Sequence, residues 1–156
     1  AFEAKARLTL TPLDFTITGK ADRIDRDETG ALMIYDYKTG RAPSQKEQAA
    51  FDKQLLIETA IAEEGGFVDI AAAPVARAVF LSLGSSFGEV DAPIVDESPA
   101  KVLSELRDLI DRYFEETQGY TSRRALQKDA DKGDYDHLAR FGEWDRSTVA
   151  TPEDLA

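Results

Sequence analysis

The sequence predicts a mixed α/β domain in which helices flank a central sheet. Three observations support this: strand patterns of alternating or apolar residues recur within the first 38 residues, a helix-capping motif stands near residue 44, and an amphipathic helix pattern starts near residue 98. Read along the chain, the elements follow the order β-β-β-α-β-(β)-α. At 156 residues the chain is long enough to bury a core without disulfides or a structural metal.

Three strands are predicted before residue 40. Alternating apolar residues indicate a strand over 4–10, and the proline-containing segment 11–14 indicates a turn. A second alternating strand covers 15–26. The turn signal at 27–30 and a third apolar and aromatic strand over 31–38 complete a β-hairpin.

A single helix is predicted over residues 45–64. Ser44 is a good N-cap, and Glu47 three residues later gives the pattern of a capping box. The pair Gly65 and Gly66 is typical of a helix end.

The second half of the chain is predicted to hold a largely buried strand over 75–83, a further strand over 89–95 and an amphipathic helix over 98–116. The tail beyond is polar and mixed in composition. We therefore expect a compact core over 1–118 and an extension over 119–156 that packs on the core or on a partner.

Composition excludes several classes of site. The chain has no cysteine, which excludes disulfides, thiolate zinc sites, cysteine-ligated iron–sulfur clusters and a cysteine nucleophile. No phosphate-cradling P-loop exists, so ATP hydrolysis must belong elsewhere. No apolar run approaches the roughly 20 residues that span a bilayer, and we expect no membrane association. The chain starts without Met or a signal peptide, and we expect a piece of a longer protein.

The predicted hairpin places two carboxylates on adjacent strands. A three-residue loop over 28–30, with glycine in the left-handed position, pairs Asp27 with Ala31. Counting back along the strands then pairs Asp22 with Asp36. A two-residue loop would shift the register by one and leave the two aspartates as near neighbours. Like charges at this distance are destabilising unless a cation lies between them, and hard oxygen ligands suit Mg²⁺ or Mn²⁺.

Lys38 lies two residues after Asp36 and therefore points from the same face of the strand. An ammonium beside an acidic metal site can stabilise developing phosphate charge or position an attacking water. The alternative is a solvated surface pair, because Asp-x-Lys alone is a common pattern. The paired Asp22 and the helix that follows favour a site. Tyr35 and Tyr37 face away from Asp36 and are expected in the core.

These motifs together resemble the PD-(D/E)xK nuclease superfamily. The resemblance lies in GKADRID at 19–25, in DYKTG at 36–40 and in Gln54–Leu55 on the following helix. More narrowly, the chain is similar to the RecB-type nuclease module of AddB, a component of bacterial ATP-dependent helicase/nuclease complexes, of the alphaproteobacterial kind. The similarity covers residues 14–60 and, less closely, 119–145.

The resemblance implies a restriction-endonuclease-like core over 1–118, whose first helix we expect to lie outside this chain. It implies a bacterial cytoplasmic, metal-dependent exodeoxyribonuclease that hydrolyses phosphodiester bonds in double-strand break repair, with Mg²⁺ or Mn²⁺ as cofactor. The implied partners are DNA, delivered as single strands, and an AddA-type helicase/nuclease. The alternative is a catalytically silent module kept for docking or DNA holding. The net charge of −11 favours this alternative, because DNA-binding domains are usually basic.

Residue by residue, the resemblance implies a metal shell made by the carboxylates of Asp22 and Asp36 and the backbone carbonyl of Tyr37. Lys38 matches the catalytic lysine. Gln54 matches the helix glutamine that supports the site and contacts the DNA backbone. Asp22, Asp36, Lys38 and Gln54 are therefore the implied catalytic group.

The roles of three other residues are left with alternatives. Backbone amides near Thr39 can approach a phosphate, although Thr39 also suits the bend into the helix. Arg140 is a candidate phosphate contact, with ion pairing to nearby acids as an equal alternative. Glu58 stands four residues after Gln54, where similar nucleases have a tyrosine, and its role is left open.

Overall fold

The computed structural model describes residues 1–84, 87–118, 136–138, 140 and 143. The chain divides into two compact units, Ala1–Asp108 and Leu109–Ala156. This division falls inside the helix Pro99–Phe114, ten residues before the boundary predicted from composition, which stays a prediction. No helix among the described residues is both long and apolar enough to cross a membrane.

The first unit is built on a five-stranded sheet. Its strands are β1 (Phe2–Leu10), β2 (Phe15–Arg26), β3 (Leu32–Lys38), β4 (Val75–Ser82) and β5 (Gly88–Asp91). They lie in the order β1-β2-β3-β4-β5, and β3 and β4 run parallel whereas the other neighbours run antiparallel. The predicted mixed sheet is confirmed. The prediction of a strand as far as residue 95 is wrong, since β5 ends before Pro93, which has no N–H to donate to a ladder.

The β2–β3 hairpin closes through a three-residue loop, one of the two alternatives that the sequence left open. The N–H of Asp27 donates to the carbonyl of Ala31 at 2.9 Å. Gly30, the last loop residue, has a φ of 90°, a left-handed conformation that glycine adopts without steric cost. This loop fixes the register of the two strands that carry the predicted site.

Two helices replace the single helix predicted over 45–64, so that prediction is wrong. They are α1 (Gln45–Ala50) and α2 (Gln54–Glu63), and α3 (Pro99–Phe114) follows later. The predicted capping box of Ser44 and Glu47 does start α1. At its end the N–H groups of Phe51 and Asp52 both donate to the Glu47 carbonyl, which closes the helix. Phe and Asp are also weaker helix formers than the residues around them. Gln54 therefore starts a new helix.

Packing of α2 on the sheet forms the core. The larger buried side chains of this core include apolar residues of the strands and of α2, namely Ile24, Leu32, Ile34, Leu55, Leu56, Ile61 and Phe80. Leu32, Ile34 and Asp36 alternate along β3, so Asp36 continues a core-facing series. The sheet thus carries a carboxylate into a place that is otherwise apolar.

Tyr35 and Tyr37 are half-buried, and the prediction that they belong to the core is wrong. Arg23 lies over the Tyr35 ring, 5.1 Å from its centroid, and donates to the Asp25 carboxylate. A guanidinium over a ring face shields the ring while keeping its own charge in contact with water. An arginine therefore covers the ring where the sequence suggested apolar neighbours.

Candidate active site

Asp22 and Asp36 lie opposite each other on adjacent strands. The β2–β3 ladder pairs Arg23 with Tyr35, and one further step along each strand brings Asp22 to Asp36. This is the register expected for a three-residue loop. Asp36 is only 5% exposed and Asp22 is half-buried. Two carboxylates therefore approach at a partly desolvated position, where mutual repulsion is costly without a cation.

The two strands stop exchanging backbone hydrogen bonds at this point. The N–H of Tyr37 donates to Oδ2 of Asp22 at 2.8 Å, so a carboxylate takes the place of a backbone acceptor. A backbone N–H in a sheet interior needs a partner, and this bond supplies one after the ladder has ended. It also fixes the Asp22 side chain beside β3.

Lys38 is held by three contacts. Its Nζ lies 2.9 Å from Oδ2 of Asp36, donates to Oε1 of Gln54 at 3.0 Å and stands 4.9 Å from the centroid of the Phe80 ring. The side chain is still 31% exposed, so its ammonium is reachable from solvent. These contacts place a positive charge beside the carboxylate pair with limited freedom.

Gln54 connects the helix to the strands. Its Nε2 donates to Oδ1 of Asp36 at 2.5 Å, while its Oε1 accepts from Lys38. The break between α1 and α2 makes this possible, since Gln54 is the first residue of α2. The structure therefore brings together Asp36, Lys38 and Gln54, as the sequence predicts, with Asp22 adjacent.

Glu58, whose role the sequence leaves open, joins this group. It is 6% exposed, and its Oε1 accepts from Nε2 of Gln54 at 3.2 Å. Its other oxygen, Oε2, is buried without a hydrogen-bond partner among the described residues. Burial raises the pKa of Glu58 to about 7, and the charges of Asp36 and Asp22 add to this, whereas Gln54 and Lys38 act in the opposite direction. The spacing of four from Gln54 was the available signal.

The donor set suits a hard divalent cation. The carboxylates of Asp22 and Asp36, with Glu58 nearby, outnumber the single positive charge of Lys38, and oxygen ligands are those that Mg²⁺ and Mn²⁺ prefer. Oδ2 of Asp36 is buried and contacts only the Lys38 ammonium among the described residues, so it is an oxygen that a cation would satisfy. In the described part of the chain, no three acidic or histidine side chains already converge into a metal-binding cluster. The chemistry of these carboxylates therefore fits Mg²⁺ or Mn²⁺.

Two predicted substrate contacts lie outside this network. Thr39 is exposed directly after β3, next to Lys38. Arg140 belongs to the second unit, where it pairs with Glu143. The roles of Thr39 and Arg140 stay predictions. So do the ligand and catalytic roles of Asp22, Asp36, Tyr37, Lys38 and Gln54.

Comparison with known proteins identifies the family. A family model described as the PD-(D/E)XK nuclease superfamily matches residues 1–140. The chain belongs to this superfamily. A nuclease-type hydrolytic function is general in the superfamily, and its members typically use divalent metal ions. The five-stranded mixed sheet with its helices is consistent with the restriction-endonuclease-like fold of these nucleases.

Similar proteins occur in Rickettsia. Uncharacterized proteins of Rickettsia conorii and Rickettsia felis are each 41% identical to the chain over 69 residues, and one of Rickettsia bellii is 39% identical over the same length. Each match covers 42% of this chain and 8% of the relative. The chain therefore corresponds to a small part of much longer proteins.

Proposed function

We propose that this chain is a metal-dependent DNA nuclease domain that processes DNA ends in double-strand break repair, within an AddB-type protein that works with an AddA-type helicase/nuclease. Membership of the nuclease superfamily and the similarity of its motifs to the RecB-type module support the proposal. The observation that carries it is Lys38, held between Asp36 and Gln54 with Asp22 on the next strand. A merely solvated Asp-x-Lys pair would not have a 5%-exposed aspartate.

The chemistry follows from the placement of these groups. Asp22 and Asp36, with the Tyr37 carbonyl, would hold Mg²⁺ or Mn²⁺, which when bound lowers the pKa of a water and neutralises phosphate charge. The half-buried Lys38 side chain donates from its ammonium to an oxygen of the scissile phosphate as negative charge develops there. Gln54 restricts the Lys38 side chain, so less entropy is lost when the substrate arrives.

A catalytically silent module is the second candidate. The observation that favours it is the net charge of −11, which opposes tight binding of DNA by this chain on its own. Such a module would hold a partner protein or DNA without cleaving a phosphodiester bond, and the acidic charge favours the partner protein over DNA. Direct measurement of cleavage separates the two candidates.

The test is cleavage of end-labelled linear single-stranded and double-stranded DNA by the 156-residue chain with Mg²⁺, Mn²⁺ or EDTA. We expect metal-dependent cleavage that Asp36→Asn and Lys38→Ala each lower by about 10²-fold or more. Matched controls are Asp69→Asn and Lys46→Ala, which make the same changes at exposed positions. Equal rates in site and control variants would refute the assigned site. Metal-independent retention of DNA without cleavage would support the silent module.

The repair context needs its own experiment. We expect the chain, within its longer protein, to co-purify with an AddA-type motor protein and to degrade the strand that the motor delivers. Cleavage unaffected by the motor would contradict this part of the proposal while leaving the nuclease assignment intact.

A further inference from the structure

Among the side chains that meet at the candidate active site, Glu58 is the one whose role the sequence left open. We propose that Glu58 is a positioning residue: its carboxylate holds the Gln54 side-chain amide in the single orientation that serves both Asp36 and Lys38. This inference rests on the proposed function, because it concerns the same site. It predicts that Glu58 acts through Gln54 and has no separate contact with the substrate.

The orientation of the Gln54 amide is set by the charges around it. Its Nε2 carries two hydrogens, which donate to Oδ1 of Asp36 and Oε1 of Glu58, at 2.5 and 3.2 Å. Its Oε1 faces the Lys38 ammonium at 3.0 Å. While Glu58 is ionised, a flipped amide would turn its oxygen toward two carboxylates and its NH₂ toward an ammonium, so every contact would be repulsive.

Asp36 and Lys38 alone do not complete this arrangement. Without Glu58, the second hydrogen of Gln54 Nε2 would have no acceptor in the described part of the protein and would turn to water, since Gln54 is an exposed residue. A fixed carboxylate is a stronger and more directional acceptor than a mobile water, so the Gln54 side chain would gain freedom to rotate. Rotation would withdraw the oxygen that Lys38 contacts. Glu58 is thus the group that makes all three contacts of Gln54 compatible.

Packing alone does not explain an acid at this position. Neighbouring positions of α2, such as Leu55, Leu56 and Ile61, are buried and apolar. Replacing a buried charged group by an apolar one of similar size is often neutral or stabilising, so a carboxylate kept here indicates a role other than packing. Its Oε2 lacks a hydrogen-bond partner among the described residues, which is a recognised sign of a functional group.

The first experiment reads the Gln54 amide directly and needs no catalysis. In ¹⁵N–¹H spectra of the labelled chain, the Gln54 side-chain NH₂ pair is assigned by its disappearance in Gln54→Ala. We expect Glu58→Gln to shift this pair and to speed its exchange with water. Glu64→Gln, the same change at the exposed C-cap of α2, should leave it in place. An unchanged Gln54 pair in well-dispersed spectra of Glu58→Gln would overturn the inference.

The second experiment is a double-mutant cycle on DNA cleavage with Mg²⁺ or Mn²⁺. We expect Glu58→Gln to lower kcat about tenfold, with little change in KM, because one hydrogen bond of the site is weakened. In the Gln54→Ala background the same change should cost nothing further, since Glu58 acts through Gln54. Losses that multiply, or a fully active Glu58→Gln, would overturn the inference. If the wild-type chain does not cleave DNA at all, the proposed function fails, and the spectra still decide the positioning role.

Discussion

Glutamine in place of Glu58 should stabilise the fold at neutral and alkaline pH. Burial, with the charges of Asp36 and Asp22, raises the pKa of Glu58 from its ordinary 4.5 to about 7. The folded state therefore binds this proton more tightly than the unfolded chain does. The corresponding stability is fully present below pH 4.5 and is lost as the pH rises through about 7. At about 1.4 kcal/mol for each tenfold change in proton affinity, the loss is about 3 kcal/mol.

The measurement is urea unfolding of wild type and Glu58→Gln, followed by circular dichroism, with EDTA present at every pH. From about pH 5 to about pH 8.5 the variant should gain about 2–3 kcal/mol on the wild type, because glutamine never ionises. Glu64→Gln removes an exposed carboxylate from the C-cap of the same helix and should show a difference that is small and flat with pH. A flat difference for Glu58→Gln, or a loss of stability at the alkaline end, would refute the reasoning. The expected combination of higher stability and lower activity is the usual sign of a functional buried charge.

Three further outcomes are expected. Lys38→Ala should lower single-turnover cleavage by about 10²–10³-fold, because a donor to the developing phosphate charge is lost, and rates equal to those of Lys46→Ala would contradict this. Gly66→Ala should cost about 1–3 kcal/mol in urea unfolding, since a Cβ there would lie 2.7 Å from the Ile61 side chain; an unchanged midpoint would show that the neighbours can move aside. Ser44→Ala should cost about 1 kcal/mol by the same measurement, because the capping box that starts α1 is lost.

The pairing of Asp22 with Asp36 could be predicted because it depends on local chemistry. A loop of three residues with Gly30 in the left-handed conformation fixes the register of β2 and β3. Counting residues back from the loop along both strands then places Asp22 opposite Asp36. The position of Lys38 on the same face as Asp36 could be predicted because side chains two residues apart on a strand point to the same side. The half of the site that lies on the sheet was therefore accessible from the sequence.

The break between α1 and α2 was not accessible in the same way. A capping box marks where a helix starts, but its end depends on contacts made elsewhere in the chain. Gln48 of α1 is fully buried and donates to the carbonyl of Pro43 and to that of Asp91 on β5. These hydrogen bonds to other parts of the chain fix the orientation of α1 independently of α2. The sequence pattern of residues 45–64 alone does not predict them.

The burial of Glu58 was hidden for a related reason. Its spacing from Gln54 places both on one face of α2 but does not say which face lies on the sheet. The apolar pattern of α2 is nearly continuous, with Leu55, Leu56 and Ile61 all buried, so it does not single out one side. The spacing predicted the contact with Gln54, but the burial of Glu58 became visible only once the helix was placed against β3.

One helix links the two halves of the site mechanically. At about 1.5 Å per residue, the ten residues of α2 form a rod roughly 15 Å long, with Gln54 at one end. Just past the other end, the carbonyl of Gly66 accepts the N–H of Arg7 on β1, in the hairpin whose second strand carries Asp22. Helix α2 thus connects Gln54 to the β1–β2 hairpin, which carries the Asp22 carboxylate. A crosslink or a bulky side chain near Gly66, at the far end of α2, would therefore change the distance between Gln54 and Asp22, two of the proposed catalytic residues.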